Sequence, residues 1–194
     1  MNKIETNIPE VVILEPRVYG DDRGWFSESW NVKTLRDLNI KVRFVQDNES
    51  FSRYGVLRGL HFQKGDAAQA KLVRVVAGEV LDVAVDIRVG SPTFGQHVAV
   101  RLSADNHRQL FIPKGFAHGF VVLSHTAHFA YKCDAFYAPE TEGSVNSIDP
   151  ELGIDWIIPE SERVFSDKDL VAPSFSAYCA DPAFFYKDDV KRGG

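Results

Sequence analysis

Short runs of β-branched and aromatic residues, separated by turn signals, recur along most of this chain. Such runs predict strands, and only the stretch from Asn31 to Leu38 has a clear helical pattern with a capping residue at its start. About ten short strands without a repeated helical unit between them predict an all-β fold: a sandwich, a jelly roll or a barrel. The predicted strands are 11–14, 25–30, 42–48, 56–63, 71–77, 80–88, 97–102, 108–112, 120–123 and 127–133.

The length and composition are those of one globular domain. With 194 residues, we expect a single domain over 1–194, with its core at about 10–173 and a C-terminal extension at 174–194. The net charge of −5 argues against general affinity for nucleic acid, so any phosphate site must be a local basic cluster. No signal peptide, disulfide framework or membrane-spanning apolar stretch is visible, which predicts a cytoplasmic protein without membrane contact.

One predicted β-hairpin carries a histidine and a lysine close together. If Gln63 pairs with Gln69, then His61 lies directly opposite Lys71 and both side chains share one face. Polar groups that point into a pocket are costly to desolvate unless a partner pairs with them. The hairpin therefore indicates a site for an anionic ligand; the alternative is an exposed hairpin with two solvated side chains.

The same hairpin contains Arg58, which would point away from His61 in a regular strand. A bulge at Gly59 would re-aim it toward the same side. A cation beside an imidazole lowers the pKa of the imidazole and keeps it neutral, which suits a general base near pH 7.

Two segments resemble the metal-binding motifs of cupins, but the set of ligands is incomplete. Residues 113–118 match the second motif, Pro-x-Gly-x-x-His, with His118 at the mouth of the predicted barrel. In the first motif His61 is present, Gln63 stands where the second His belongs, and no Glu occurs at ligand spacing. Because a metal site needs three or four His or carboxylate ligands, we expect no metal.

Residues 21–28 and 45–52 mix polar and aromatic side chains. They indicate either ordinary surface strands or a nucleotide site, in which Arg binds phosphate, aromatic rings stack on a base and amides contact its edge. Tyr131 lies on a predicted strand, where a lone Tyr is usually a core or rim residue. Asp169, in a charged loop, would orient the His61 ring and stabilise its protonated form if it reached that far.

Together these segments resemble the dTDP-4-dehydrorhamnose 3,5-epimerase family, in the right order from about residue 10 to residue 173. The motifs are Arg-Gly-x-Phe-x-Glu at 23–28, Val-Gln-Asp-Asn at 45–48, Leu-Arg-Gly-Leu-His-Phe-Gln at 57–63, Gln-x-Lys-Leu-Val at 69–73, Asp-Val-Ala-Val-Asp-Ile-Arg-x-Gly-Ser-Pro-Thr-Phe-Gly at 82–95, Ile-Pro-x-Gly-Phe-Ala-His-Gly-Phe at 112–120, Tyr-Lys at 131–132 and Lys-Asp at 168–169.

The resemblance implies a cupin-type jelly roll (a double-stranded β-helix) with short peripheral helices. It implies a cofactor-free epimerase that converts dTDP-4-dehydro-6-deoxy-D-glucose to dTDP-4-dehydro-L-rhamnose in dTDP-rhamnose biosynthesis. It also implies a homodimer whose N-terminal segment crosses into the partner's site. The alternatives are an epimerase of C3 or C5 alone, a ketoisomerase on a related sugar, or a non-catalytic sugar-nucleotide or metal-binding cupin.

The resemblance also assigns roles to residues. His61 is the base, Asp169 holds it, Tyr131 is the acid, and Lys71 lies beside the developing enolate oxygen. Tyr137 stacks on thymine and Arg58 binds the diphosphate. The substrate-contact positions are Arg23, Phe26, Glu28, Gln46, Asp47, Asn48, Arg58, His118, Tyr137, Glu142 and Lys168.

Overall fold

The computed structural model describes residues 1–186, which form mainly short strands. Residues 187–194, the end of the predicted C-terminal extension, lie outside the described residues. The strands are β1 (Asn2–Glu5), β2 (Val12–Glu15), β3 (Val18–Asp21), β4 (Gly24–Ser27), β5 (Gln46–Arg53), β6 (Leu57–Gln63), β7 (Lys71–Ala77), β8 (Glu79–Asp86), β9 (Arg88–Val89), β10 (His97–Ser103), β11 (Gln109–Ile112), β12 (Phe116–Val122), β13 (Thr126–Cys133), β14 (Glu142–Ser144) and β15 (Phe184–Phe185). The helices are α1 (Val32–Asp37), α2 (Asp167–Leu170) and α3 (Phe175–Ala180).

Two antiparallel sheets form the body of the fold. The larger has the order β1-β2-β11-β7-β13-β5, and the smaller has the order β10-β8-β12-β6-β14. Strands that are distant in sequence are therefore neighbours in space, as in a jelly roll. The predicted all-β jelly roll with short peripheral helices is confirmed.

Apolar side chains form three layers. The first lies between the sheets and joins Val73 and Phe129 of the larger sheet to Val98 and Phe120 of the smaller one. The second covers the outer face of the smaller sheet with the segment around Trp156 and α3. The third packs the region of α1 on the larger sheet. Strands β8 and β12 are buried along nearly their whole length because both of their faces are covered.

The predicted helix at 31–38 is confirmed as α1. Asn31 caps it, since its side-chain oxygen accepts hydrogen bonds from the backbone N–H groups of Lys33 and Thr34. Residues 150–173 form loops and short helical turns. Within residues 1–186, no helix is long and apolar enough to cross a membrane.

Some strand boundaries differ from the prediction. The strand expected at 42–48 begins only at Gln46 and continues to Arg53, while the strand expected at 120–123 begins already at Phe116. Residues 42 and 44 pack instead beside α1 in the third apolar layer. The alternation of apolar residues at 42–44 therefore reflects their packing in this layer, and these residues do not form a strand.

The predicted hairpin between β6 and β7 is wrong. Strand β6 pairs with β12 and β14, whereas β7 pairs with β11 and β13 in the other sheet. The chain crosses from one sheet to the other between them. His61 and Lys71 are thus not cross-strand partners; they approach the same interior from facing sheets.

Candidate active site

Two adjoining cavities lie between the sheets at one end of the jelly roll. The outer cavity, of about 280 Å³, is lined by Gln46, Asn48, His61, Phe62, Gln63, Gln69, Lys71, Tyr131, Tyr137 and Glu142. The inner cavity, of about 170 Å³, is lined by Ser50, Arg58, His61, Lys71, His118, Gly119, Phe120, Phe129 and Tyr131. His61, Lys71 and Tyr131 line both cavities and so mark their junction.

The alternation of side chains along the strands explains this meeting. Lys71 shares a face of β7 with Val73, which lies in the apolar layer between the sheets. Tyr131 shares a face of β13 with Phe129 for the same reason. His61 enters from the smaller sheet, where it lies opposite His118 of β12. At this end of the jelly roll, these polar side chains line the space between the sheets, which is filled by apolar side chains elsewhere.

Arg58 lines the cavity because of the irregularity that the sequence predicted at Gly59. His118 pairs with His61 but Phe120 pairs with Arg58, so β6 has one more residue than β12 between these pairs. Gly59 has φ +125°, and a Cβ there would lie 2.5 Å from the Cα of Gly119. Only glycine fits this close approach.

A short helix holds the partner of His61. The partner is Asp169 of α2, whose Oδ1 is 2.6 Å from the Nε2 of His61. The other carboxylate oxygen of Asp169, Oδ2, accepts a hydrogen bond of 2.6 Å from the Ser166 hydroxyl. The Ser166 oxygen also caps α2 by accepting from the Asp169 N–H. Asp169 is only 6% exposed, so it is fixed by the helix and by both contacts.

Burial lowers the pKa of His61 below its ordinary value. Asp169 acts in the opposite direction, because its carboxylate favours the protonated ring. Lys168 and Lys71 lower the pKa of His61 further, because their positive charges disfavour a protonated imidazole. The net effect keeps the imidazole neutral near pH 7, as a general base requires.

Burial shifts the pKa values of Lys71 and Tyr131 in opposite directions. Burial lowers the pKa of the Lys71 ammonium, and burial raises the pKa of the Tyr131 phenol, to which the nearby Cys133 also contributes. The Lys71 Nζ lies 6.0 Å from the centre of the Tyr131 ring. The raised pKa keeps the Tyr131 phenol protonated at neutral pH, beside the amino group of Lys71.

Cys133 lies opposite Lys71 in the ladder between β13 and β7. Burial raises the pKa of its thiol to about 11, although Lys71 acts in the other direction. The thiol is therefore protonated and does not act as a nucleophile here.

A second His–carboxylate pair lies deeper in the interior. His118 Nε2 is 2.9 Å from Asp82 Oδ2, and the His118 ring stacks on Phe129 with centroids 6.0 Å apart. Asp82 is fully buried, and its Oδ1 has no hydrogen-bond partner among residues 1–186. This carboxylate holds the His118 ring beside the inner cavity.

The rim of the outer cavity is a network of polar side chains. Glu142 pairs with Lys168 of α2, and the Tyr137 hydroxyl donates to Glu142 Oε2 at 3.1 Å. Burial acts to raise the pKa of Glu142, but the hydrogen bonds from Lys168 and Tyr137 outweigh it and leave that pKa below its ordinary value. Gln46 and Asn48 of β5 complete this rim.

Five of the predicted substrate-contact residues do not line the cavities within this chain. One of them, Lys168, contacts the rim residue Glu142. Arg23, Phe26 and Glu28 lie on or beside the exposed ribbon of β3 and β4, where Arg23 pairs with Asp21. Asp47 points to the outer face of the larger sheet and binds Lys132 at 2.6 Å. It does so because it alternates with Gln46 and Asn48, which point inward.

The sequence did not identify several residues of the site. Gln63 and Gln69 line the outer cavity, Ser166 holds Asp169, and Asp82 holds His118. Ser166 had a recognisable signal, since Ser-x-x-Asp at 166–169 is a helix-capping pattern. The other three lie within the motifs at 57–63, 69–73 and 82–95, but their roles depend on partners far away in sequence, which no local pattern shows.

Residues 1–186 contain no group of three or more His, Cys, Asp or Glu side chains placed to hold a metal ion. His61 and His118 each contact a carboxylate of their own. The cavity therefore presents an imidazole, a phenol and an ammonium group, which together can remove a proton, return one and stabilise an oxyanion.

Comparisons with known proteins agree on one family. A sequence model described as dTDP-4-dehydrorhamnose 3,5-epimerase matches residues 5–177. The dTDP-4-dehydrorhamnose 3,5-epimerase of Salmonella typhimurium (strain LT2) is 57% identical over 171 residues, which cover 88% of this chain and 93% of that protein.

Solved structures show the same similarity. The dTDP-6-deoxy-D-glucose-3,5-epimerase of Legionella pneumophila Philadelphia 1, in complex with dTDP-4-keto-L-rhamnose, has a TM-score of 0.92 at 54% identity and covers 96% of this chain and 99% of its own. A 3′-monoepimerase of Streptomyces bikiniensis, in complex with dTDP-quinovose, has a TM-score of 0.84 at 34% identity, covering 91% and 89%.

Proposed function

Because the chain belongs to the dTDP-4-dehydrorhamnose 3,5-epimerase family, we propose that His61 and Tyr131 carry out the proton transfers of this reaction. The protein is an isomerase that converts dTDP-4-dehydro-6-deoxy-D-glucose to dTDP-4-dehydro-L-rhamnose, a step of dTDP-rhamnose biosynthesis. The assignment of residues is supported above all by one observation: His61 and Tyr131 line the same two cavities from facing sheets, with Lys71 beside them.

The reaction needs a base and an acid on opposite faces of the sugar ring. The C4 ketone makes the hydrogens on C3 and C5 acidic, and removal of either proton leaves an enolate. A proton delivered to the other face of that carbon then inverts it. Each inversion moves one proton to the protein and one to the sugar, so no electrons are gained or lost.

His61 is suited to be the base. Asp169 accepts a hydrogen bond from Nε2–H, which places the ring proton on Nε2 and leaves the lone pair on Nδ1 for the substrate. Tyr131 is suited to be the acid because its raised pKa keeps the phenol protonated. Lys71 stabilises the enolate oxygen from a fixed position, which costs no reorganisation during the reaction.

The remaining polar residues bind the nucleotide part of the substrate. We place the ketosugar at the junction of the cavities, Tyr137 against the thymine ring, and Arg58 on the diphosphate as a charge-assisted contact. His118 contacts the substrate from the inner cavity, and Glu142 and Lys168 do so from the rim.

We further propose a homodimer in which the ribbon of β3 and β4 enters the partner's site. The ribbon exposes 63% of Trp25 and 70% of Phe26, although a two-stranded ribbon alone is only marginally stable. Exposed aromatic surface of this kind marks an interface. The exchange would bring Arg23, Phe26 and Glu28 to a cavity that they do not reach in their own chain.

Two variants test the roles of base and acid. His61→Asn is expected to lose turnover by about 10²–10⁴-fold, the usual contribution of a general base, while it still binds dTDP. Tyr131→Phe is expected to lose product formation while it still exchanges substrate hydrogen with solvent, because proton removal does not need the phenol. Equal loss of exchange in both variants would contradict these roles.

A further inference from the structure

The segment that carries Tyr137, residues 134–141, is held by side chains from both sheets. We refer to it as the Tyr137 loop. It connects β13 of the larger sheet to β14 of the smaller one and forms one wall of the outer cavity. The Tyr137 ring is 51% exposed, so packing does not fix its direction. The position of the ring therefore depends on its hydroxyl's hydrogen bond to Glu142 and on how the backbone of the loop is anchored.

Glutamines from three places provide much of this anchoring. The Tyr137 N–H donates to Gln46 Oε1 at 2.9 Å, and Gln69 Nε2 donates to the Ala135 carbonyl at 3.0 Å. The Ala138 N–H donates to Gln63 Oε1 at 2.8 Å. Gln63 is the most buried of the three, with 4% of its surface exposed.

Gln63 joins both ends of the turn that follows Tyr137. Its Oε1 accepts from Ala138 at the start of the turn, and the Thr141 hydroxyl lies 3.3 Å from the same oxygen at the end. Because a backbone N–H can only donate, the atom facing Ala138 must be the amide oxygen, and the amide orientation is fixed. A partly buried N–H without this acceptor would be costly, so the contact constrains the loop.

We propose that Gln63 is a positioning residue for nucleotide recognition, which anchors the Tyr137 loop and thereby places the ring that receives the base. The proposal rests on the proposed function. It also gives a role to a position where the metal-binding cupin motif has its second histidine: an amide here anchors a wall of the cavity.

Binding of dTDP to Gln63→Met tests the proposal. Met has nearly the same length as Gln but lacks the acceptor, so it removes the anchor and leaves no cavity. By calorimetry, we expect the Kd for dTDP to rise about tenfold, which corresponds to the loss of one partly buried hydrogen bond. The KM for the sugar nucleotide is expected to rise similarly, with kcat within about threefold of wild type.

A double-mutant cycle with Tyr137→Ala separates positioning from a general structural role. If Gln63 acts through Tyr137, then Gln63→Met in the Tyr137→Ala background should raise the Kd by less than about twofold further. Thr93→Val is the matched control: it removes a hydroxyl bound to the buried Asp86 in another loop, and it should leave the Kd unchanged. Thr141→Val is a milder second variant, expected to raise the Kd about threefold.

Three results would overturn the proposal. The first is an unchanged Kd in both Gln63→Met and Thr141→Val. The second is the same fold-loss from Gln63→Met with and without Tyr137, which would show that the two residues act independently. The third is an equal loss in Thr93→Val. If the wild-type protein itself did not bind dTDP, the proposed function would fail as well, which separates the two failures.

Discussion

At the scale of single residues, the directions of three pKa shifts define a pH dependence. His61 has a pKa below its ordinary value of 6.5, Lys71 has one below 10.5, and Tyr131 has one above 10.0. His61 must be neutral to act as the base. Because its pKa lies below 6.5, activity should be lost on the acid side only when the pH falls below 6.5. The ammonium must be charged and the phenol protonated, so activity is lost on the alkaline side.

We therefore predict a bell-shaped profile of kcat/KM against pH, with its acid limb below 6.5. The alkaline limb arises where either Lys71 or Tyr131 loses its proton; burial lowers the pKa of Lys71 and raises that of Tyr131, so we assign the limb to Lys71 and test the assignment by substitution. Lys71→Arg should move the alkaline limb to higher pH, since Arg stays charged. An acid limb above 6.5, or an alkaline limb that does not move in Lys71→Arg, would contradict the assignment.

Side chains alternate between the two faces of a strand, but this alternation shows which residues face the site only when the bounds of the strand are known. Gln46 and Asn48 point inward and Asp47 points outward, as the period of two requires once β5 is defined. A run of three polar residues by itself does not show which of them face the site. The resemblance named all three, and the geometry distinguishes them.

At the scale of elements, α2 connects the fold to the chemistry. Its cap, Ser166, also donates to Asp169, so one residue both begins the helix and holds the partner of the base. Helix α3 offers a matched case: Ser174 caps it by accepting from the Ala177 N–H and has no contact with the site residues.

We predict that Ser166→Ala and Ser174→Ala each destabilise the protein by about 1 kcal/mol, the typical loss of a helix cap. Only Ser166→Ala should also reduce kcat, by about tenfold, because Asp169 loses a contact that orients it. Thermal unfolding and steady-state kinetics on both variants check this. Equal kinetic effects in the two variants would mean that Ser166 acts through stability alone.

The pairing of β6 and β7 shows what local sequence cannot provide. The two strands follow each other after a short connection, as in a hairpin, yet each pairs with strands that come later in the chain. The sequence predicted strands and the helix α1 well, because apolar alternation and capping are local. The choice of partner depends on contacts between strands that are far apart in the sequence, which no local pattern encodes. His61 and Lys71 reach one cavity because their sheets face each other.

At the scale of the whole molecule, the proposed exchange of the β3–β4 ribbon can be tested by complementation. His61→Asn lacks the base, and a variant with Arg23→Ala and Phe26→Ala lacks the ribbon contacts. In a mixed dimer, one site combines an intact His61 with an intact ribbon from the other subunit.

We predict that mixing the two variants under conditions of subunit exchange restores up to about a quarter of wild-type activity, since half of the dimers are mixed and each has one intact site. Mixing His61→Asn with Tyr131→Phe is the control, because both changes lie in the body of the subunit. No recovery in the first mixture, or equal recovery in the control, would exclude exchange of the ribbon.

Turnover in D₂O followed by NMR of the product shows whether His61 and Tyr131 invert both carbons beside the ketone. We expect deuterium at both C3 and C5 with the wild-type protein and at neither carbon with His61→Asn. Deuterium at one carbon only, or incorporation by His61→Asn at the wild-type rate, would contradict it.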